Sequence, residues 1–154
     1  MDKSFADTLI KITERHANDI SQQWCRAVRS NPRTEAYHRL TEKDCFPRAL
    51  EFYKNLRKIY FSERPYTALQ KYFSSYAKQA YNDRIPLSEA LYSLIMMRRH
   101  IWLFAEFQET FAAATEHRQV VESVNKTIRI FDHGIYIVTR YYEEMNQTQP
   151  GGPS

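Results

Sequence analysis

The chain has 154 residues, of which 43% are hydrophobic and 26% are charged, proportions that are ordinary for one globular domain. Its net charge of +4 comes from basic and acidic side chains that are mixed along every segment. Proteins that bind nucleic acid usually concentrate basic residues on one face, so this mixing disfavours nucleic acid as a partner. No apolar run reaches the roughly 20 residues that span a bilayer, and the N-terminus lacks the apolar segment of a signal peptide. We therefore expect a cytoplasmic protein without a membrane span.

Glycine is scarce, with three residues in the whole chain, and Gly134 is the one that precedes the C-terminal tail. Phosphate-binding loops and tight hairpins both depend on glycine, so a P-loop, a dinucleotide fingerprint and an all-β fold are disfavoured. Cys25 and Cys45 lack the spacing of metal ligands, as do the histidines, and we expect both thiols to be reduced core residues.

The first predicted helix covers about Ser4 to Arg29, where apolar residues recur every three or four positions. It ends at Asn31-Pro32, because proline disfavours helical geometry in the residue before it. The segment from Arg33 to Leu40 is predicted to be a connector.

Thr41 has the features of an N-cap, with Asp44 at the position of a short capping box. Pro47 comes too late for the first turn of the helix that Thr41 would start. It predicts either a kink in that helix or a short turn before a helix that begins near Phe46. The apolar stripe then continues to Tyr60.

Three more helices are predicted in the second half of the chain. Pro65 suits the first position of a helix that stops at Asn82-Asp83, and Pro86 opens a central helix that reaches about Phe107. A break is expected between about Gln108 and Thr115, before a last helix from about Glu116 to Met145.

These elements predict an all-α, single-domain bundle of about five helices, packed antiparallel through short connections. The helical domain is expected to span residues 4–146, and the polar residues 147–154 are expected to be a disordered tail. No nucleophile elbow, paired glycine or metal motif is present, so we expect no enzymatic activity. The 11 tyrosines favour an interaction surface, because tyrosine is enriched at protein interfaces.

His100 lies near the middle of the central helix on an apolar face. Its neighbours one turn away are Met96, Met97, Leu103 and Phe104. The simpler interpretation is a packing histidine with one hydrogen bond to a neighbouring helix. The functional alternative is a contact with a small-molecule ligand, or an iron ligand in a globin-like haem pocket.

Arg98 and Arg99 precede His100 on the same helix and point to different sectors. No acidic residue lies three or four positions from either arginine, so any ion pair must form with a group off the helix. An interhelical salt bridge or a solvated position at the rim is the favoured interpretation. A pocket for an anionic ligand is the alternative.

Asp132, His133 and Gly134 lie in the interior of the last predicted helix. An interior glycine costs about 1 kcal/mol relative to alanine, and it is tolerated where another helix or a ligand approaches closely. A close helix crossing is the interpretation we favour. His133 stays a candidate ligand contact.

Four short sequence motifs form a recognisable pattern along the chain. They are Ile20-x-x-x-Trp24-x-x-x-Val28, Pro32-Arg33-Thr34-x-x-Tyr37-His38-x-Leu40, Arg84-Ile85-Pro86-Leu87-Ser88-Glu89 and Leu94-Ile95-x-x-Arg98-Arg99-His100-Ile101-Trp102. In this order and spacing they resemble the N-terminal domain of the RsbT co-antagonist (RsbRD) type, a bacterial helical sensor family. The resemblance covers about Ile10 to Tyr142.

The resemblance implies an input domain for signal transduction in a stress response, related in shape to the globins and often dimeric. Members in stressosomes usually lack haem, so it favours a chain without a cofactor, with haem as the alternative. The family domain normally precedes an output domain, which is not found after Tyr142. We therefore expect either a free-standing member that acts through a protein partner or homodimer, or a piece of a longer sensor. The candidates for ligand binding or signal coupling are His100, Arg98, Arg99, Trp102, His133, Tyr37 and His38.

Overall fold

A computed structural model describes residues 4–106, 117–148 and 151–153. These ranges contain seven α-helices and one 3-10 helix, and no strand occurs within them. The α-helices are α1 (Ser4–Arg15), α2 (Ala17–Val28), α3 (Glu42–Lys54), α4 (Leu56–Tyr60), α5 (Pro65–Asn82), α6 (Leu87–Glu106) and α7 (His117–Thr148), and the 3-10 helix η1 (Pro32–Arg39) lies between α2 and α3. The all-α prediction is confirmed for the described residues.

The estimate of about five helices is too low because two predicted helices are each divided in two. α1 and α2 meet at His16, whose backbone angles are φ −105° and ψ 21°, yet the His16 N–H still donates to the Ile12 carbonyl at 3.0 Å. α3 and α4 meet in the same way at Asn55, with φ −107° and ψ 14°. Each division is a local kink between two consecutive helices, with no loop between them.

The predicted connector after α2 is instead the 3-10 helix η1. The Asn31 side chain accepts a hydrogen bond from the Arg33 N–H at 2.8 Å, and Pro32 occupies the first helical position. Within η1, Thr34 departs from helical geometry (φ −127°, ψ 47°). Its hydroxyl donates to the Val28 carbonyl at 2.7 Å, which ties η1 to the end of α2.

α3 begins where the sequence predicts, but Pro47 lies within it. Thr41 is the N-cap, and its hydroxyl accepts from the Asp44 N–H at 3.2 Å. The alternative start near Phe46 is therefore wrong. Pro47 is exposed, so water can satisfy the carbonyl group one turn earlier that loses its N–H partner.

The second half of the bundle follows the prediction closely. Pro65 is the first residue of α5, as expected. The predicted break between Gln108 and Thr115 lies outside the described residues. α7 runs to Thr148, so it continues two residues into the segment that the sequence assigns to the tail.

The centre of the core is a group of aromatic side chains from three helices. Phe52 of α3, Phe73 of α5 and Phe131 of α7 are each at most 1% exposed. The ring centroids of Phe52 and Phe131 are 5.0 Å apart, and those of Phe52 and Phe73 are 6.1 Å apart. Gly134 of α7 lies directly against Phe73, so the close-crossing interpretation of this glycine is confirmed.

Buried tyrosines link the helices through hydrogen bonds. Tyr53 donates to the Met97 carbonyl at 2.7 Å, and Tyr142 donates to the Ile85 carbonyl at 2.7 Å. Tyr60 donates to the Ser123 carbonyl at 2.7 Å. Much of the tyrosine content is thus used inside the fold, which weakens the argument from composition for an interaction surface.

Candidate functional site

His100 is half-buried on α6, and one of its ring nitrogens is bound within the helix. Nδ1 lies 2.8 Å from the Met96 carbonyl oxygen. A carbonyl only accepts, so Nδ1 carries the proton of the neutral ring and Nε2 is left as an acceptor or metal ligand. Burial lowers the pKa of His100, against the effect of the Met96 bond, and the nearby charge of Arg99 lowers this pKa further. The neutral form is therefore favoured.

The imidazole of His100 lines a groove between α2 and the end of α6. The groove has a volume of about 560 Å³. Its other walls come from Gln23, Arg26, Ala27, Ser30, Leu103 and Phe104. One side is thus apolar and the other polar and cationic, which suits a ligand with both characters.

The two arginines beside His100 do not form a common site with it. Arg99 is exposed and Arg98 is half-buried. No described residue forms an ion pair with either guanidinium. The solvated-rim interpretation fits Arg99. Trp102, near the end of α6, is half-buried and packs against the hydrophobic core. It therefore helps to hold the end of α6 against the bundle.

Tyr37 lies at the centre of a buried polar network. Its hydroxyl is 2.9 Å from the Ser93 hydroxyl and 3.1 Å from the Tyr76 hydroxyl. The Trp24 indole N–H donates to the Ser93 carbonyl at 2.9 Å. Burial raises the pKa of Tyr37 above its ordinary value, against the effect of its hydrogen bonds to Ser93 and Tyr76. Tyr37 is therefore a packing residue that joins η1, α5 and α6, and it is out of reach of a ligand at the surface.

The other two histidine candidates lie on the outside of the bundle. His38 is exposed, and its Nε2 is 2.7 Å from the Asn31 carbonyl oxygen, so it closes the turn before η1. His133 of α7 lies against Tyr66 at the start of α5, with ring centroids 4.7 Å apart. The seven candidates from the sequence are thus distributed among the groove, the core and two separate surfaces.

A second concave site was missed by the sequence analysis. It lies between α3, α4 and α5, has a volume of about 500 Å³, and includes Arg48 in its wall. Arg48 forms an ion pair with Asp83, and its Nε donates to the Asp44 carbonyl at 3.1 Å. The sequence signal for this site would be an arginine buried next to the apolar face of α3. The helical pattern alone does not show which charged residue is buried, so it could not reveal this site.

Comparison with protein-family models, with curated proteins and with solved structures gave no match to the chain. Within residues 4–106 and 117–148, no three histidine, cysteine or acidic side chains are grouped so that they could hold a metal ion. No described helix is both long enough and apolar enough to cross a bilayer.

The residues around His100 fit a haem along one edge of the groove. A ligating histidine normally donates its second ring N–H to a carbonyl, which fixes the tautomer, and Nδ1 of His100 does so at Met96. Ala27, Leu103 and Phe104 would contact the porphyrin, and Arg26 would meet a carboxylate of its side chains. His133 does not fit this role, because both of its ring nitrogens lie 3.3 to 3.4 Å from the Tyr66 hydroxyl.

Proposed function

We propose that the chain is a non-catalytic regulatory domain that acts as a two-fold symmetric homodimer through the outer face of α7. The observation that carries the proposal is a strip of exposed aromatic residues. Tyr66 and Tyr136 are 63% and 64% exposed, and His133 lies between them, in ring contact with Tyr66 and one helical turn before Tyr136. Large aromatic side chains left in water favour burial against a partner.

The charges on this face favour a second copy of the chain as that partner. Asp132 and Arg140 lie four residues on either side of Tyr136, and Arg129 and Glu143 lie seven residues on either side. Tyr136 and these four charged residues are all exposed, and they fall within one narrow sector of α7. In an antiparallel pair of α7 helices centred on Tyr136, each acid of one copy would face a base of the other. Such self-complementarity is what a two-fold interface requires.

The test is a charge exchange across the proposed axis. Asp132→Arg places like charges opposite each other, and so does Arg140→Asp, so each single variant should shift the light-scattering mass from dimer towards monomer. The double variant Asp132→Arg with Arg140→Asp restores opposite charges and should recover the dimer. Recovery by the double variant is specific to antiparallel contact between two copies.

A matched control is available on the same chain. Lys78→Glu changes one exposed charge on α5, at a position outside this face, and should leave the dimer mass unchanged. A wild-type chain that stays monomeric at high protein concentration would contradict the proposed homodimer. A double variant that is no more dimeric than the single variants would contradict the proposed orientation.

The resemblance to the RsbT co-antagonist N-terminal domain supports a regulatory role and the dimer. Under this proposal a signal changes the packing of the bundle, and α7 transmits the change to the second copy or to a further protein partner. The role in stress signalling and the cytoplasmic location stay predictions.

A second candidate function is supported by the groove at His100. There the chain would bind haem, or another small ligand, with Nε2 of His100 as the contact. Nδ1 is bound to the Met96 carbonyl at 2.8 Å, so Nε2 is the nitrogen left for a ligand. A bound haem would supply an iron that responds to a gas or to redox state.

This second candidate is tested by adding haem to the purified chain and recording its absorption spectrum. A Soret band that is lost in His100→Ala but kept in His38→Ala and His133→Ala would support it. Absence of the band, or a band of the same position and intensity in all three variants, would rule out ligation by His100.

A further inference from the structure

The cleft between α3, α4 and α5 has the features of a small-molecule site. Its volume of about 500 Å³ lies within the range of roughly 300–1,000 Å³ that is usual for ligand pockets. Apolar contact surface comes from Pro47, Ile59, Ala68 and the ring of Tyr72. The Tyr72 hydroxyl is turned away to the Arg48 carbonyl, to which it donates at 2.7 Å, so its ring is held in place.

Positive charge predominates in the wall of this cleft. Arg48, Lys58 and Lys71 line it, and Glu51 is the one acidic residue among the described residues of that wall. Lys58, Lys71 and Glu51 are exposed, so water screens their charges. Arg48 differs from them, because its side chain is only 2% exposed.

Arg48 is held in a fixed position and still has unused hydrogen-bonding capacity. Nη2 pairs with Asp83, and Nε donates to the Asp44 carbonyl at 3.1 Å. Nη1 is buried and has no hydrogen-bond partner among the described residues. An unsatisfied buried donor destabilises the protein, and more so when it is charged, so an acceptor that reached Nη1 would remove that penalty.

We infer that this cleft binds a small organic carboxylate. The carboxylate accepts hydrogen bonds from Arg48, Lys71 of the same wall adds its positive charge, and the apolar part of the ligand rests on Tyr72. A planar guanidinium matches a carboxylate better than a lysine does. The site is separate from the outer face of α7 and does not depend on the homodimer.

Benzoate is a suitable probe, since it joins a carboxylate to a flat apolar ring. In a two-dimensional NMR titration of the full chain, benzoate should shift the amide signals of α3, α4 and α5 around the cleft and should reach saturation. Benzamide has the same ring without the charge, and inorganic phosphate has charge without the ring. Both should bind more weakly than benzoate.

Substitutions in the cleft test which side chains contribute to the affinity for benzoate. Arg48→Lys keeps the charge but loses the planar donor, and it should weaken benzoate binding about tenfold. Because this buried change can also affect folding, Lys71→Gln at an exposed position serves as a second variant and should weaken binding about threefold. Lys78→Gln, on α5 but outside the cleft, is the matched control and should leave the affinity unchanged.

Three results would overturn the inference. Benzoate could fail to saturate any signal, or benzamide or phosphate could bind as tightly as benzoate. Lys71→Gln could also have the same effect as Lys78→Gln. None of these results bears on the dimer mass, so this site and the proposed homodimer succeed or fail separately.

Discussion

Gly134 lies so close to Phe73 that a Cβ atom built on the glycine would be 2.5 Å from the Cε1 and Cζ atoms of the ring. That distance is well inside van der Waals contact. The absence of a side chain at Gly134 therefore lets the Phe73 ring of α5 pack directly against the backbone of α7.

Gly134→Ala should destabilise the protein. Alanine is the better helix former by about 1 kcal/mol. Overpacking of a filled core, however, typically costs about 1–3 kcal/mol. We expect about 3 kcal/mol here, because Phe73 is fully buried beside Phe52 and Phe131. We expect a net loss of about 2 kcal/mol in the free energy of unfolding, measured by urea denaturation. Lys78→Ala, at an exposed position of α5 outside the proposed dimer face, should change it by less than about 0.5 kcal/mol. A Gly134→Ala variant more stable than wild type would contradict the close crossing.

The ion pair between Arg48 and Asp83 should respond unequally to the loss of each partner. Arg48 is almost fully buried, whereas the Asp83 side chain is 36% exposed. Asp83→Ala leaves a buried cation without its counter-charge and should cost about 2 kcal/mol. Arg48→Met leaves a carboxylate that water can reach, and it should cost less. Equal losses in chemical denaturation, or a larger loss for Arg48→Met, would show that packing of the arginine outweighs its charge.

Arg84 occupies a backbone position that favours glycine. Its φ of 60° is in the left-handed region. There the Arg84 N–H donates to the Tyr81 carbonyl at 3.0 Å, and the Ile85 N–H donates to the Ala80 carbonyl at 2.9 Å, which completes a Schellman motif at the end of α5. Left-handed geometry costs a residue with a side chain about 1–2 kcal/mol, and glycine loses about 0.5–1 kcal/mol of backbone entropy on folding.

Arg84→Gly should therefore raise the free energy of unfolding by about 0.5–1 kcal/mol. Arg84→Ala keeps the backbone strain and removes only the charged side chain. It should stay within about 0.5 kcal/mol of wild type in the same thermal or urea melt. A gain of equal size in both variants would assign the effect to the charge instead of the backbone.

The buried tyrosines should make the protein sensitive to alkali. Burial raises the pKa of several phenols above the ordinary value of 10.0, namely those of Tyr37, Tyr53, Tyr60, Tyr72, Tyr76 and Tyr142. The unfolded chain loses these protons near pH 10, whereas the folded chain holds them to higher pH. Above about pH 10 the unfolded state thus binds fewer protons, and the free energy of unfolding falls as the pH rises.

Absorbance of tyrosinate and circular dichroism, recorded on one alkaline titration, can check this. The buried tyrosines should ionise together with the loss of helical signal. Tyr76→Phe should reduce the alkaline loss of stability, and Tyr66→Phe should not. If all 11 tyrosines ionised near pH 10 in a fully helical protein, the buried network would be wrong.

Features that depend on neighbouring residues could be predicted from the sequence. The N-cap at Thr41 and the helix start at Pro65 are confirmed, because capping and proline geometry act within one helical turn. The apolar periodicity predicted the helices themselves. The kinks at His16 and Asn55 were missed, since both residues are acceptable inside a helix.

The candidate sites were predicted less well. His100 does line a groove, but Tyr37 is a core residue and His38 closes a local turn. Arg98 and Arg99 are candidates from the sequence because they interrupt an apolar helix. Among the residues whose burial the structure describes, the charged one that is buried is Arg48, and its burial depends on which faces of α3 and α5 meet.

The sequence by itself determined the all-α class, most of the helix ends and the close crossing at Gly134, because hydrophobic periodicity and backbone preferences are local properties of the chain. Only the tertiary structure decided the environment of each polar side chain. It buried Arg48 beside Asp83, enclosed Tyr37 with Ser93 and left Tyr136 in water. The physical reason is that burial and ion pairing are set by contacts between residues far apart in the sequence, and helical periodicity carries no information about those distances.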